Sequence, residues 1–222
     1  MRGLWMLGLL IPALAGARDG LPCQPPQITM EAKPEEVQAF FTSKDLTVVT
    51  FLGYSGAEYE DPKRMLRQAN NVLRRFDPKT TVINIGATAQ GIGAVYTQAK
   101  RLGFQTSGIV STQAKEHDAA LSPCVDYVFF VEDGTWGGFL PDGKTLSPTS
   151  TAIVTTSHSL VAIGGGDVAR DEWLAAKRLG KRVAFIPADM NHRIAREKAT
   201  KKGQPEPKDF HGSLHDSAQI DR

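Results

Sequence analysis

The chain has 222 residues, 41% hydrophobic and 23% charged, which suits one globular domain with a real core. Its formal net charge of +2 supplies no field that would gather nucleic acid, so no nucleic-acid partner is expected. The basic excess gathers near the C-terminus, around Arg193 to Lys202. At the other end, Arg2 precedes an apolar stretch from Gly3 to Leu14 and then Ala15-Gly16-Ala17, a pattern that reads as a secretory signal peptide cut after Ala17. The stretch is too short to span a bilayer comfortably, so no stable membrane span is expected after cleavage, and the mature chain is expected to be exported, periplasmic or secreted. Cys23 raises the alternative of a lipid anchor, but Gly20-Leu21-Pro22 is a poor signal for it, because a small residue is wanted just before the cysteine. The two cysteines, Cys23 and Cys124, can either pair in an exported chain or remain free thiols.

Residues 18–43 read as a Pro-rich arm followed by a short helix from Pro34 to Phe41. Leu46 to Leu52 is a β-branched apolar run and predicts the first strand, followed by the glycine loop Gly53-Tyr54-Ser55-Gly56. Met65, Leu66, Ala69, Val72, Leu73 and Phe76 recur at helical spacing. Thr81 to Ile85 predicts a second strand. It opens on Gly86-Ala87-Thr88-Ala89-Gln90-Gly91-Ile92-Gly93, and a helix runs from there to Leu102, where Gly103 stops it. Strands follow at Phe104–Val110 and Val125–Val131, with a helix over Gln113–Leu121 between them. Gly134-Thr135-Trp136-Gly137-Gly138 and the turn signal Pro141-Asp142-Gly143 come next. Leu160 to Ile163 predicts a fifth strand and runs into Gly164-Gly165-Gly166-Asp167, with Asp167 at the expected N-cap of a helix to Leu179. A sixth strand, Arg182–Ile186, and a helix over Asn191–Lys201 complete a domain spanning residues 44–203; residues 204–222 read as a disordered polar tail.

Six alternations of strand and helix predict an α/β fold, a doubly wound, mainly parallel sheet of about six strands. The three glycine loops follow strands one, two and five, so all three open on the carboxyl edge, where such sheets bind ligands. A strand, a glycine turn and a helix N-terminus make an anion site, since free N–H groups and the helix dipole point at one place. Other patterns are weaker. The second loop lacks the acidic residue a dinucleotide fingerprint wants about twenty positions on. Tyr96 and Lys100 copy a dehydrogenase pair but fall on a helix three residues past the loop, and are expected at the surface. Ser55 sits in an elbow-like loop, too early in the sheet for an α/β-hydrolase nucleophile. No histidine has metal-ligand spacing, so neither a metal nor a cofactor is expected.

These loops, taken together and in order, resemble the SLOG superfamily, which includes the Lonely Guy (LOG) phosphoribohydrolases, formerly called lysine decarboxylases. Leu52-Gly53-Tyr54-Ser55-Gly56 is similar to the family's Cys-Gly-Ser-Ser loop, Gly86 to Gly93 to its Gly-Gly-Gly-x-x-Gly-Leu-Met-Gly loop, and Gly164 to Glu172 to Pro-Gly-Gly-x-Gly-Thr-x-x-Glu. The resemblance implies a modified Rossmann fold, a homodimer, and a nucleotide-like or phosphorylated small molecule as partner. It implies binding through Gly53, Tyr54, Ser55, Gly56, Gly86, Ala87, Thr88, Gly91, Gly93, Gly164, Gly165, Gly166 and Asp167, with Glu172 engaging the ribose and serving as the catalytic residue if the chain is an enzyme. The chain departs from the pattern at Val168 and Ala169, where the family has Gly-Thr, and it has no Met-His-x-Arg-Lys segment, so the glutamate's arginine partner is missing. The expected function is therefore nucleotide or phosphorylated-ligand binding at the carboxyl edge. The alternatives are a LOG-like phosphoribohydrolase that cleaves the N-glycosidic bond of a nucleoside 5'-monophosphate, and a non-catalytic interaction module. Trp136 is a candidate for stacking a base.

Overall fold

The structure, a computed structural model, describes residue 23 and residues 28–220; the expected signal peptide lies outside the described residues. Seven strands form one sheet: β1 (Ile28–Glu31), β2 (Thr47–Gly53), β3 (Thr81–Ile85), β4 (Gln105–Ser111), β5 (Tyr127–Val131), β6 (Ser159–Ile163) and β7 (Arg182–Ile186). Their order is β1-β5-β4-β3-β2-β6-β7 and every pairing is parallel. The chain steps outward from β2 through β3 and β4 to β5, then crosses back to lay β6 on the other side of β2. The order therefore reverses between β2 and β6, where Val49 pairs with Ser159 and Gly53 with Ile163. A ligand crevice belongs outside the carboxyl ends of strands at such a reversal.

Helices α1 (Pro34–Ser43), α2 (Pro62–Leu73), α3 (Ala94–Arg101), α4 (Gln113–Glu116), α5 (Pro148–Thr156), α6 (Asp167–Arg178), α7 (His192–Lys201) and α8 (Ser213–Ile220) complete the described chain. Successive side chains of a strand point to opposite faces. Thus Val49 and Phe51 of β2 join a core with Met65, Ala69 and Leu73 of α2 and Val95, Tyr96 and Ala99 of α3. On the other face, Val48 packs with Val37 and Phe41 of α1 and Ile153 of α5, while Leu52 packs with Ala169 and Trp173 of α6 and Leu214 of α8. Cover on both faces is why the central strands read as unbroken apolar runs. Among the described residues, no helix is long and apolar enough to cross a membrane.

The predicted strands are present with limits shifted by up to two residues, but the sheet has seven strands rather than about six. The extra one, β1, lies in the expected arm and pairs with β5 at the sheet edge. It is four residues long and mostly exposed, so its sequence carries no apolar run. Cys23 just before it is disulfide-bonded to Cys124. Helix α5 also falls where no element is expected. Its sequence, rich in Thr with Ile and Val, has poor helix propensity. Ser147, whose hydroxyl accepts from the Ser150 N–H, and Pro148 in the first turn start it, and burial of Ala152, Ile153 and Val154 holds it. The helix expected over Gln113–Leu121 is only the single turn α4, and Asp118 follows with a positive φ of 46°. Gly166, not Asp167, occupies the N-cap of α6; Asp167 is its first residue and pairs with Arg170 at 3.0 Å. Tyr96 is fully buried rather than at the surface, its hydroxyl 2.7 Å from the carbonyls of Ile85 and Ser107, while Lys100 pairs with Asp126.

The C-terminal segment is the largest departure. Residues 213–220, expected to be disordered, form α8, whose Leu214 is fully buried against α6 and the β6–α6 turn. Removing that buried side chain by Leu214→Ala should lower the unfolding free energy by about 2–4 kcal/mol in urea denaturation; a loosely attached tail would give a change within about 0.5 kcal/mol.

Candidate functional site

A cavity of about 490 Å3 opens at the carboxyl ends of β2, β3 and β4, closed on one side by α5 and the first turns of α6. Its walls are largely aliphatic, from Ile85, Ile92, Ile109, Val110, Ile153 and Val168. Its polar groups come from Thr50, Ser55, Thr88, Gln90, Ser111, Thr149 and Glu172, and Trp136 stands at its side. Among the described residues, no lysine, arginine or histidine lines it. Lys198 of α7 reaches the rim, donating from Nζ to the Gly56 carbonyl at 2.8 Å. No group of three or more His, Cys, Asp or Glu residues placed to hold a metal occurs among the described residues.

Of the residues expected at the site, Gly53, Ser55, Gly56, Gly86, Thr88 and Glu172 line this cavity. Tyr54, Ala87, Gly91, Gly93, Gly164, Gly165, Gly166 and Asp167 are not on its wall, and several of them hold the loops together. Ile92 N–H donates to the Tyr54 carbonyl at 2.7 Å, and a Cβ on Gly91 would fall 2.2 Å from that same oxygen. Ala87 adopts a positive φ of 55° and is fully buried. Tyr59 joins two strand ends, its hydroxyl donating to the Ile163 carbonyl at 2.7 Å and accepting from Tyr54 N–H at 3.2 Å.

Two of the three glycines, Gly164 and Gly165, are already covered by protein, whereas a Cβ on Gly166 would meet nothing within 4 Å. A Cβ on Gly164 would lie 2.5 Å from the Tyr54 ring. The Tyr54 hydroxyl in turn donates to the His211 carbonyl at 2.5 Å. Burial raises the Tyr54 phenol to about 12, so it remains a donor across the physiological range. Leu214 N–H donates to the Gly165 carbonyl at 3.2 Å. The hollow expected above Gly164 and Gly165 is thus filled by Tyr54 and the segment leading into α8. The hollow above Gly86 is open, and α6 presents Val168, Ala169 and Glu172 to the cavity.

Glu172 is only 3% exposed. Ser150 of α5 donates from Oγ to Glu172 Oε1 at 2.7 Å and accepts the Gly138 N–H at 2.7 Å. Burial pushes the carboxyl up to about 7; the Ser150 bond opposes the shift and the neighbouring Asp171 adds to it. Arg170, the nearest arginine in sequence, is spent on Asp171 and Asp167. Asp171 also accepts the Phe139 N–H at 2.8 Å. The loop carrying Trp136 is ordered by Asp133, which accepts from the Thr149 N–H at 2.9 Å and from the Thr135 N–H and hydroxyl at 2.8 Å. Burial alone would raise the Asp133 carboxyl, but these bonds win and hold it below the usual range. Trp136 is 52% exposed and stacks on His117, ring centroids 5.7 Å apart. Sequence reading did not single out Ser150 or Asp133. Both act across loops more than ten residues long, and only the buried pairing marks them.

No protein-family model matches the sequence, and no curated protein does either. Among solved structures the chain is similar to TM1055, at 20% identity and a TM-score of 0.47, over 62% of this chain and 72% of that one. It is similar to the Moco carrier protein from Chlamydomonas reinhardtii, at 17% identity and a TM-score of 0.46, over 79% and 97%. It is also similar to the molybdenum cofactor binding protein from the phototrophic bacterium Rippkaea orientalis, at 16% identity and a TM-score of 0.45, over 80% and 98%.

A buried acid with a raised pKa ties stability to pH. The unfolded carboxyl releases its proton near 4.5 and the folded one near 7, so between these values the folded state holds more protons. The contribution of Glu172 is fully present below about pH 4.5 and is lost as pH rises to about 7, amounting to about 3 kcal/mol. Glu172→Gln should flatten this decline. Urea denaturation of both proteins at pH 5 and pH 8 would check it, and parallel pH profiles would contradict it.

Proposed function

We propose that the chain is a Rossmann-like ligand-binding domain whose cavity at the carboxyl edge takes a nucleotide or a nucleotide-derived molecule. The carrying observation is the open cavity of about 490 Å3 beside the strand-order reversal, aliphatic in its walls, with a buried carboxyl and a half-exposed tryptophan. Such a composition suits a planar ring with a few polar substituents. Phosphate finds the Ser55-Gly56 loop at the mouth of the cavity, with Lys198 at the rim, and no side-chain cation on the described cavity wall. This favours a monophosphate or an unphosphorylated relative over a polyphosphate.

The alternative is a LOG-like phosphoribohydrolase with Glu172 essential. Charge developing at the scissile bond calls for a cation or an aimed donor. With no arginine or lysine on the described cavity wall, binding is the better-supported reading. We further propose that the chain acts after export, with residues 1–17 removed. The Cys23–Cys124 disulfide supports an oxidising compartment and leaves the Cys23 sulfur unable to carry lipid.

Calorimetry of the chain lacking residues 1–17, against nucleoside monophosphates, nucleosides, dinucleotides and sugar phosphates, tests the reading. At least one nucleoside or monophosphate should bind, Trp136→Ala should weaken it about tenfold through lost stacking, and no free base should be released. Absence of binding by the whole panel would remove the proposal. Release of base from a monophosphate, abolished by Glu172→Ala, would replace it with the hydrolase.

A further inference from the structure

The arrangement around Glu172 says which end of a ligand it can meet, and this inference rests on the binding role proposed for the cavity. The hydrogen bonds have a direction. The Gly138 N–H can only donate, so Ser150 Oγ accepts it and sends its own single proton to Glu172 Oε1. Oε1 is thereby an acceptor. Oε2 has no hydrogen-bond partner among the described residues, and a proton on the carboxyl belongs there. The surroundings give an ionised carboxylate nothing to pair with. Asp171, on α6 itself, adds negative charge and keeps Arg170 for itself. From the neighbouring loop, Asp133 is engaged by Thr135 and Thr149. Among the described residues, α5 and β2 bring hydroxyls and aliphatic groups to the cavity, and α8 brings nothing. An isolated buried carboxylate is costly and takes up a proton instead.

We propose that Glu172 meets its ligand as an uncharged acid, donating from Oε2 to a neutral acceptor such as a ring nitrogen or carbonyl oxygen of a heterocycle. The ring, rather than a phosphate or a pair of ribose hydroxyls, then occupies the end of the cavity at Glu172. An ionised carboxylate would instead accept from sugar hydroxyls, the role the family resemblance implies for this residue. The raised pKa that burial gives the group, about 7, keeps the proton on it at mildly acidic pH. Any phosphate is left to the rim, near Ser55, Gly56 and Lys198.

Two measurements test this. Infrared difference spectra of wild type and Glu172→Gln at pH 6 should show a protonated carboxyl band present only in wild type. Calorimetry with adenosine, inosine and guanosine should show wild-type affinity falling by about tenfold or more between pH 6 and pH 8.5. Glu172→Gln, whose amide donates at every pH, should show no such slope and should bind about tenfold more tightly than wild type at pH 8.5. Wild-type affinity that is flat or rises with pH, or a glutamine variant weaker than wild type throughout, would overturn the proposal in favour of an ionised acceptor. A protonated band without binding of any nucleoside would instead fail the ligand reading itself and take this inference with it.

Discussion

Every strand of this sheet is parallel and its centre is covered on both faces, which leaves the strand ends as the places where backbone polarity meets solvent. That constraint organises the rest. The pairing of β2 with β6 brings two ends together from segments more than a hundred residues apart. Tyr59 fixes the junction by bonding the carbonyl at the end of β6 and the amide after β2. Once those ends are joined, the loops beyond them have only two directions open. The Gly164 turn goes one way and is closed by Tyr54; the Ser55-Gly56 turn goes the other and faces the cavity.

The result is a site assembled unequally from its motifs. Three glycine loops converge on one edge, as strand order demands, yet the loop richest in glycine contributes least to the cavity wall. Its lack of side chains serves close packing of an aromatic ring and of the segment before α8. Glycine permits close approach whether the approaching group is a ligand or the protein itself. Polar contacts in the cavity come instead from hydroxyls, a buried acid and a loop held by Asp133.

Much of the architecture was legible because it rests on local pattern. β2, β3 and β6 are continuous apolar runs followed by glycine, and α2 carries an apolar stripe at helical spacing. What escaped rests on tertiary context. Strand β1 is too short and exposed to show an apolar run, and α5 is a helix made from residues that prefer strands. The fate of Gly164 depends on Tyr54 meeting His211, 157 positions along the chain, and no local window contains that contact. Glu172 was legible as a candidate from its motif. Its buried, serine-held setting was not, because Ser150 lies on the unforeseen helix.

The Cys23–Cys124 bond spans 101 positions and encloses β1 to β4 with the helices between them. The Ser55-Gly56 and Gly86 loops therefore sit inside a covalent ring, whereas Trp136 and Glu172 sit outside it. A protease that cut the exposed Ser55-Gly56 turn would leave both fragments tethered through sulfur, and the cut ends would stay in place against the unbroken half of the cavity. One wall of the pocket is thus insured against a single scission, and the other has no such safeguard.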